Sequence, residues 1–170
     1  MNMNNQMEEA ESSILHTYNR FPVVFERGEG VHLFDSEGSK YLDFAAGIAV
    51  NSLGYHYPGY DEALKEQIDK LTHISNLYYN PAQTKLAQKL CELSGFSKVF
   101  FSNSGAEANE CAIKLARKYS TDKYNENRTK IITLVNSFHG RTVTTLAATG
   151  QDTFHHNFNP FTEGFTYAQA

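Results

Sequence analysis

The chain has 170 residues, of which 41% are hydrophobic and 20% are charged, and its formal net charge is -4. This balance is typical of a folded globular protein with a sizeable core. A mildly acidic chain gives no support for binding to nucleic acids or to membrane surfaces. No stretch is apolar for long enough to span a bilayer, and the start of the chain lacks the features of a secretory signal. We therefore expect a cytoplasmic protein.

The first third of the chain combines a polar terminus with short strands. Residues 1–16 consist of a polar segment, Met1–Met7, that resembles a disordered tail, and of Glu8–His16, which is compatible with a short surface helix. In residues 17–55, apolar and polar residues alternate on both sides of a tight turn at Asp35–Gly38. This alternation predicts a small antiparallel β meander.

Two helices are predicted next. Tyr60–Leu71 has apolar residues at helical spacing. Pro81–Ser94 follows Asn80, a good N-cap residue, and precedes Gly95, a typical C-terminal stop. We expect both helices to bury one apolar face, formed by Leu64, Ile68 and Leu71 in the first and by Leu86, Leu90 and Leu93 in the second.

The most informative stretch is a predicted strand, a turn of small polar residues and a long helix. Lys98–Phe101 has the β-branched and aromatic residues of a buried strand. Ser104 and Glu107 match a capping box at the start of the helix. A single buried stripe is expected along it, formed by Ala108, Ala112, Leu115, Ala116 and Tyr119. The unpaired N–H groups at such a helix start suit an anion, although a capped helix that binds nothing is equally compatible with this stretch alone.

A second strand, Lys130–Val135, follows a solvated stretch at Ser120–Thr129. Strand, helix and strand in this order predict a parallel βαβ unit, with ligands beyond the carboxyl ends of its strands. The Ser102–Ala106 turn and the Phe138–Arg141 loop should then open on the same edge of the sheet. From Gln151 onward the pattern predicts a loop.

The Phe138–Arg141 loop carries residue types that suit a small-molecule pocket. Phe138 is able to stack on a flat ring, and Arg141 is able to hold a carboxylate through paired N–H groups. The alternative is a core phenylalanine beside a surface arginine. The histidines and cysteines show no spacing typical of a metal site, so we expect no metal.

Two segments together resemble the N-terminal motifs of the class III pyridoxal-phosphate aminotransferases. They are Phe101–Glu110, Phe-Ser-Asn-Ser-Gly-Ala-Glu-Ala-Asn-Glu, and Asn136–Thr142, Asn-Ser-Phe-His-Gly-Arg-Thr. Arg27–Val31, Tyr41–Asn51 and Ser75–Tyr78 are similar to further family motifs in the expected order. The resemblance implies an α/β fold of fold type I, with residues 56–170 forming part of the large, cofactor-binding domain beside the N-terminal meander.

The resemblance also implies roles for individual residues. Ser104, Gly105 and Ala106 would hold the phosphate of pyridoxal 5'-phosphate, and Phe138 and His139 would contact the rest of the cofactor. Arg141 would bind the substrate α-carboxylate. The implied activity is transamination of N-acetylornithine, or a related ω-amino acid, with 2-oxoglutarate in arginine biosynthesis, by a cytoplasmic homodimer.

The chain departs from the family in length. Family members are more than twice as long, and the lysine that forms the Schiff base belongs to the part that this chain lacks. No catalytic residue is therefore expected here, and we expect the chain alone to be inactive. A non-catalytic remnant or interaction module is an alternative, and ornithine, succinylornithine and 4-aminobutyrate are alternative substrates.

Overall fold

A computed structural model describes residues 3–124 and 128–170 of the chain. They form two compact units, which divide between Tyr79 and Asn80. The domain division expected from the sequence, with boundaries after residues 16 and 55, stays a prediction.

The first unit begins with helix α1, Met3–Ser13. The prediction of a disordered tail is wrong for residues 3–7, which are helical, and the first two residues lie outside the described part. The helix ends three residues earlier than predicted. The carboxylate of Glu11, in the last turn of α1, accepts hydrogen bonds from His16 Nδ1 at 3.1 Å and from Arg20 Nη1 at 3.0 Å.

The predicted antiparallel meander is confirmed. Its strands are β1 (Phe25–Glu29), β2 (His32–Asp35) and β3 (Lys40–Leu42), with β2 in the centre. The buried Asp35 carboxylate holds the tight turn together by accepting bonds from Ser39 N–H at 2.8 Å, Glu37 N–H at 2.9 Å and the Tyr41 hydroxyl at 2.9 Å. Burial acts to raise the pKa of Asp35, but these hydrogen bonds outweigh it and lower the pKa overall.

Both middle helices are confirmed. They are α2, Tyr60–Lys70, and α3, Pro81–Ser94. The Asn80 side chain caps α3 by accepting from the N–H of Ala82 at 2.9 Å and of Gln83 at 3.3 Å, and Gly95 ends it in the left-handed conformation. The prediction that their apolar faces are buried is wrong for the described residues, because every one of these six side chains is at least 37% exposed: Leu64, Ile68, Leu71, Leu86, Leu90 and Leu93.

The second unit contains α4 (Gly105–Tyr124), β4 (Ile131–Leu134), α5 (Val143–Ala148) and β5 (Phe165–Ala168). A parallel sheet is present, but it joins β4 to β5, with Ile131 opposite Phe165 and Leu134 opposite Ala168. The predicted loop after Gln151 therefore contains a strand, and also a short 3₁₀ turn at Asp152–Phe154.

The predicted strand at Lys98–Phe101 is wrong, and so is its pairing into a βαβ unit. A strand exists by hydrogen bonding to a neighbour, and no described strand pairs with this segment. The solvated stretch that was predicted at Ser120–Thr129 is helical as far as Tyr124, and residues 125–127 lie outside the described part.

The core of the second unit lies between α4 and α5. Its buried apolar residues are Ile113, Leu146, Ala147 and Ala148, together with the buried hydroxyls of Thr145 and Thr149. The predicted stripe on α4 is wrong, because all five of its residues are exposed. The face that packs instead contains Ala106, Asn109, Ile113 and Arg117.

Candidate functional site

The turn into α4 has the predicted cap. The Ser104 hydroxyl accepts a hydrogen bond from the Glu107 N–H at 3.2 Å and donates one to the Glu107 carboxylate at 3.0 Å. The Asn103 side-chain amide donates to the same carboxylate at 3.3 Å. The side-chain hydrogen bonds from Asn103 and from Ser104 lower the pKa of Glu107, so this carboxylate is ionised at neutral pH.

Backbone donors are available at this helix start. Within the described residues, the N–H groups of Gly105 and Ala106 make no hydrogen bond, and open space surrounds the position where a side chain of Gly105 would begin. Unpaired N–H groups at the positive end of a 20-residue helix suit an anion such as a phosphate. The Ser104 hydroxyl is already bonded to Glu107, so the donors are those of the backbone.

The Phe138–Arg141 loop lies directly against this helix start, as predicted for the two segments. Gly140 is buried at φ +130°, and a Cβ placed there would lie 2.7 Å from Ala106 Cβ and 2.6 Å from Thr145 Oγ1. The loop is able to approach α4 this closely because residue 140 is a glycine.

Hydrogen bonds fix the loop on both sides. Asn109, in the second turn of α4, donates from Nδ2 to the His139 carbonyl oxygen at 2.8 Å. The buried Thr149 hydroxyl accepts from the His139 N–H at 3.0 Å. The Thr142 hydroxyl caps α5 and also bonds to the Glu110 carboxylate. The two motifs thus form one bonded assembly.

The side chains of the loop point to different surroundings. Phe138 is 54% exposed, so the alternative of a core phenylalanine is wrong. His139 lines a cavity of about 300 Å³ beneath α4, and its buried Nε2 has no hydrogen-bond partner among the described residues. The Arg141 guanidinium carbon lies 5.1 Å from the centre of the Phe154 ring. Contact of His139 with a cofactor stays a prediction.

Sequence reasoning missed the residues that support the site, which are Asn109, Glu110, Thr149 and Phe154. One signal was available in the sequence. Asparagine has a low helix propensity, so an asparagine inside a helix often indicates that its side chain makes a hydrogen bond. Among the described residues, no group of three or more histidine, cysteine or acidic side chains is placed to hold a metal ion, and no helix is long and apolar enough to cross a membrane.

The site therefore offers backbone donors for a phosphate, an exposed aromatic ring and a nearby guanidinium. Together these groups fit a phosphorylated aromatic cofactor and a carboxylate-bearing substrate.

Curated relatives are similar in sequence along most of the chain. Acetylornithine aminotransferase of Haemophilus ducreyi is 55% identical over 154 residues, which is 91% of this chain and 39% of that protein. The enzyme of the same name from Methanocaldococcus jannaschii is 48% identical over 167 residues, which is 98% of this chain and 42% of that protein. The chain thus spans about 40% of the length of these relatives.

Solved structures are also similar. Ornithine aminotransferase from Toxoplasma gondii, described with partial occupancy of pyridoxal phosphate at its active site, matches with a TM-score of 0.93 at 29% identity. That match covers 99% of this chain and 40% of the other. Acetylornithine aminotransferase from Elizabethkingia anophelis matches with a TM-score of 0.74 at 42% identity, over 81% of this chain and 36% of the other. The fold is therefore that of the fold type I aminotransferases.

The family is settled by a match that extends over nearly the whole chain. The sequence profile described as aminotransferase class-III matches residues 14–170. Pyridoxal phosphate is the cofactor of this family, and the donors at the start of α4 fit its phosphate. The chain belongs to the class III aminotransferases.

Proposed function

We propose that the protein containing these residues transfers an amino group from N-acetylornithine to 2-oxoglutarate, with pyridoxal phosphate as cofactor, in arginine biosynthesis. The observation that carries the proposal is the close packing of the Phe138–Arg141 loop on the start of α4, through Gly140 and the Asn109–His139 hydrogen bond. The acetylornithine substrate is supported by relatives of that name at 48–56% identity, while the ornithine aminotransferase structure is 29% identical.

The residues present suggest which groups would bind the cofactor and which would bind the substrate. The N–H groups of Gly105 and Ala106 would bind the cofactor phosphate, and Phe138 would stack on its ring. The cofactor, when bound, supplies the electron sink that amino-group transfer requires. Arg141 would orient the substrate by binding its α-carboxylate, since a guanidinium matches a carboxylate with two parallel N–H groups.

We also propose a cytoplasmic homodimer. Segments 44–50 and 77–79 support this, because they expose large apolar side chains: Phe44 is 91% exposed, Ile48 93%, Leu77 85% and Tyr79 97%. Burial of such side chains against a second subunit would be favourable. The native mass of the protein purified from its source cells tests the dimer, and a monomeric mass would contradict it.

Replacement of Arg141 tests the proposed function. In the protein purified as the cell makes it, Arg141→Ala should lower kcat/KM for N-acetylornithine by roughly 10- to 100-fold, because hydrogen bonds between charged groups are lost. The matched control is Arg128→Ala, which removes an arginine beyond the far end of α4 that packs on Tyr124. An unchanged kcat/KM in Arg141→Ala would remove this residue from the site.

Comparison of wild-type kcat/KM for N-acetylornithine, ornithine, succinylornithine and 4-aminobutyrate tests the substrate.

A further inference from the structure

We propose that Phe154 is a positioning residue that holds Phe138 and Arg141 in a fixed mutual arrangement. This inference rests on the proposed function, because it concerns the side chains that would stack on the cofactor and bind the substrate carboxylate. Phe154 contacts both. Its ring centre lies 5.7 Å from that of Phe138, at an interplanar angle of 66°, and 5.1 Å from the Arg141 guanidinium carbon.

The backbone around Phe154 is itself well anchored. Phe154 ends a 3₁₀ turn in which its N–H bonds to the Gln151 carbonyl at 3.1 Å. The Gln151 side chain donates to the carbonyl oxygen of Ser137, the residue before Phe138, at 3.2 Å. On the other side, His155 Nε2 lies 3.1 Å from the carbonyl oxygen of Leu146 in the buried helix α5. The Phe154 ring is therefore presented from a fixed backbone, half-buried beside the two site residues.

The contacts with Phe154 leave Phe138 able to stack on a cofactor ring and Arg141 able to bind a carboxylate. The T-shaped contact with Phe154 orients the Phe138 ring without parallel stacking, and 54% of Phe138 stays exposed. A guanidinium attracted to an aromatic ring is still able to donate hydrogen bonds from its edge. Phe154 would thus restrict the rotamers of the Arg141 side chain before substrate binds.

The test replaces the Phe154 side chain. The variants are introduced at the chromosomal locus, and the protein is purified in the form that the cell makes. Phe154→Leu should raise KM for N-acetylornithine about 2- to 5-fold, which is the range expected for loss of an exposed cation–π contact. It should also weaken pyridoxal phosphate binding by a similar factor, measured from the absorbance of the bound cofactor. Phe154→Tyr keeps the ring and should retain both values. If Phe154→Leu fails to accumulate, Phe154→Met replaces it.

The matched control is Phe158→Leu, which removes a ring that is 63% exposed in the same loop. It should leave both constants unchanged. A purely structural role of Phe154 would lower the active fraction, and hence kcat, without a change in KM. Equal effects of Phe154→Leu and Phe158→Leu, or a change in kcat alone, would overturn the proposal.

A double-mutant cycle tests whether Phe154 acts through Arg141. In an Arg141→Ala background, Phe154→Leu should change KM less than it does in the wild type, because the cation that contacts the ring is then absent. An undiminished effect in that background would overturn the proposal. The single variant Arg141→Ala separates the two hypotheses. If it leaves KM unchanged, the proposed function of Arg141 fails, and if it raises KM while Phe154→Leu does not, the positioning role fails.

Discussion

Gly140 sets how closely the Phe138–Arg141 loop approaches α4. Replacement by alanine combines a backbone conformation that L residues rarely adopt, at φ +130°, with a Cβ 2.7 Å from Ala106 Cβ. We expect Gly140→Ala to lower the free energy of unfolding by about 2–6 kcal/mol, since conformational strain and overpacking each cost about 1–3 kcal/mol. Urea denaturation of the purified protein measures the change.

Gly95→Ala is the matched control for this prediction. Gly95 lies in the same unit and also has a positive φ, +74°, but no atom lies within 4 Å of the position of its Cβ. Its replacement should cost about 1–2 kcal/mol, from conformational strain alone. Equal losses in the two variants would show that Gly140 is required for its backbone conformation and not for close packing.

The lowered pKa of Glu107 predicts how the stability of the protein depends on pH. Hydrogen bonds in the folded protein hold its pKa below the ordinary value of 4.5. A lowered pKa stabilises the folded state above the unfolded pKa, and the contribution is lost as the pH falls through the folded pKa. Glu107→Gln should therefore be less stable than wild type at pH 7, and the difference should shrink as the pH falls below about 4.5.

Thermal unfolding of both proteins between pH 7 and pH 3 measures this difference. Glu92→Gln, on the exposed face of α3, is the control, and its difference from wild type should be small throughout. A difference between Glu107→Gln and wild type that grows toward acid pH would contradict the assignment.

At the scale of elements, Asn80 is the clearest determinant of a helix start. Its side-chain oxygen accepts from two N–H groups of the first turn of α3. Asn80→Ala should lower the free energy of unfolding by about 1 kcal/mol, the usual cost of losing such a cap. Asn80→Asp keeps an acceptor and adds a charge that suits the helix dipole, so it should be close to wild type. Equal destabilisation by both substitutions, measured in urea, would contradict the capping role.

The elements that could be predicted from sequence are those with local determinants. The α3 helix has Asn80 and Pro81 at one end and Gly95 at the other, so its limits depend on neighbouring residues alone. Lys98–Phe101 has the composition of a strand, but a strand also needs a pairing partner, which no local pattern supplies. The β5 strand, Phe165–Ala168, contains residues typical of strands, but it is only four residues long and is defined by its pairing with β4.

The same distinction applies to the candidate site. The Ser104 cap could be predicted because it is local. The proximity of the two motifs was expected from a strand pairing that the described residues do not form, and the packing of Gly140 against Ala106 brings the motifs together instead. The roles of Asn109 and Phe154 could not be predicted, since each depends on a contact across 13 or more residues of sequence: Asn109 with His139, and Phe154 with Phe138 and Arg141.

At the scale of the whole molecule, the exposed area is large. The chain exposes 13917 Å². Two separate globular proteins of half its mass would together expose about 10,200 Å², from the usual scaling of area with mass, so the excess is about 3,700 Å² whatever the arrangement of the two units. The excess contains the apolar faces of α2 and α3 and the predicted stripe of α4. The sequence predicts that these faces are apolar, and the described residues leave them exposed.

The last prediction concerns the 170-residue chain expressed alone. Its two-stranded sheet and exposed apolar faces provide too little burial for an independently stable fold. We expect it to aggregate or to bind a partner, and to bind the dye ANS, which reports exposed apolar surface. Size-exclusion chromatography with light scattering measures its mass against the 19.2 kDa of a single chain. The matched control is the protein purified from its source cells, which should be monodisperse and bind little dye. A monodisperse 19.2 kDa monomer with a cooperative thermal transition would contradict the prediction, because it would require these apolar faces to be stable in water.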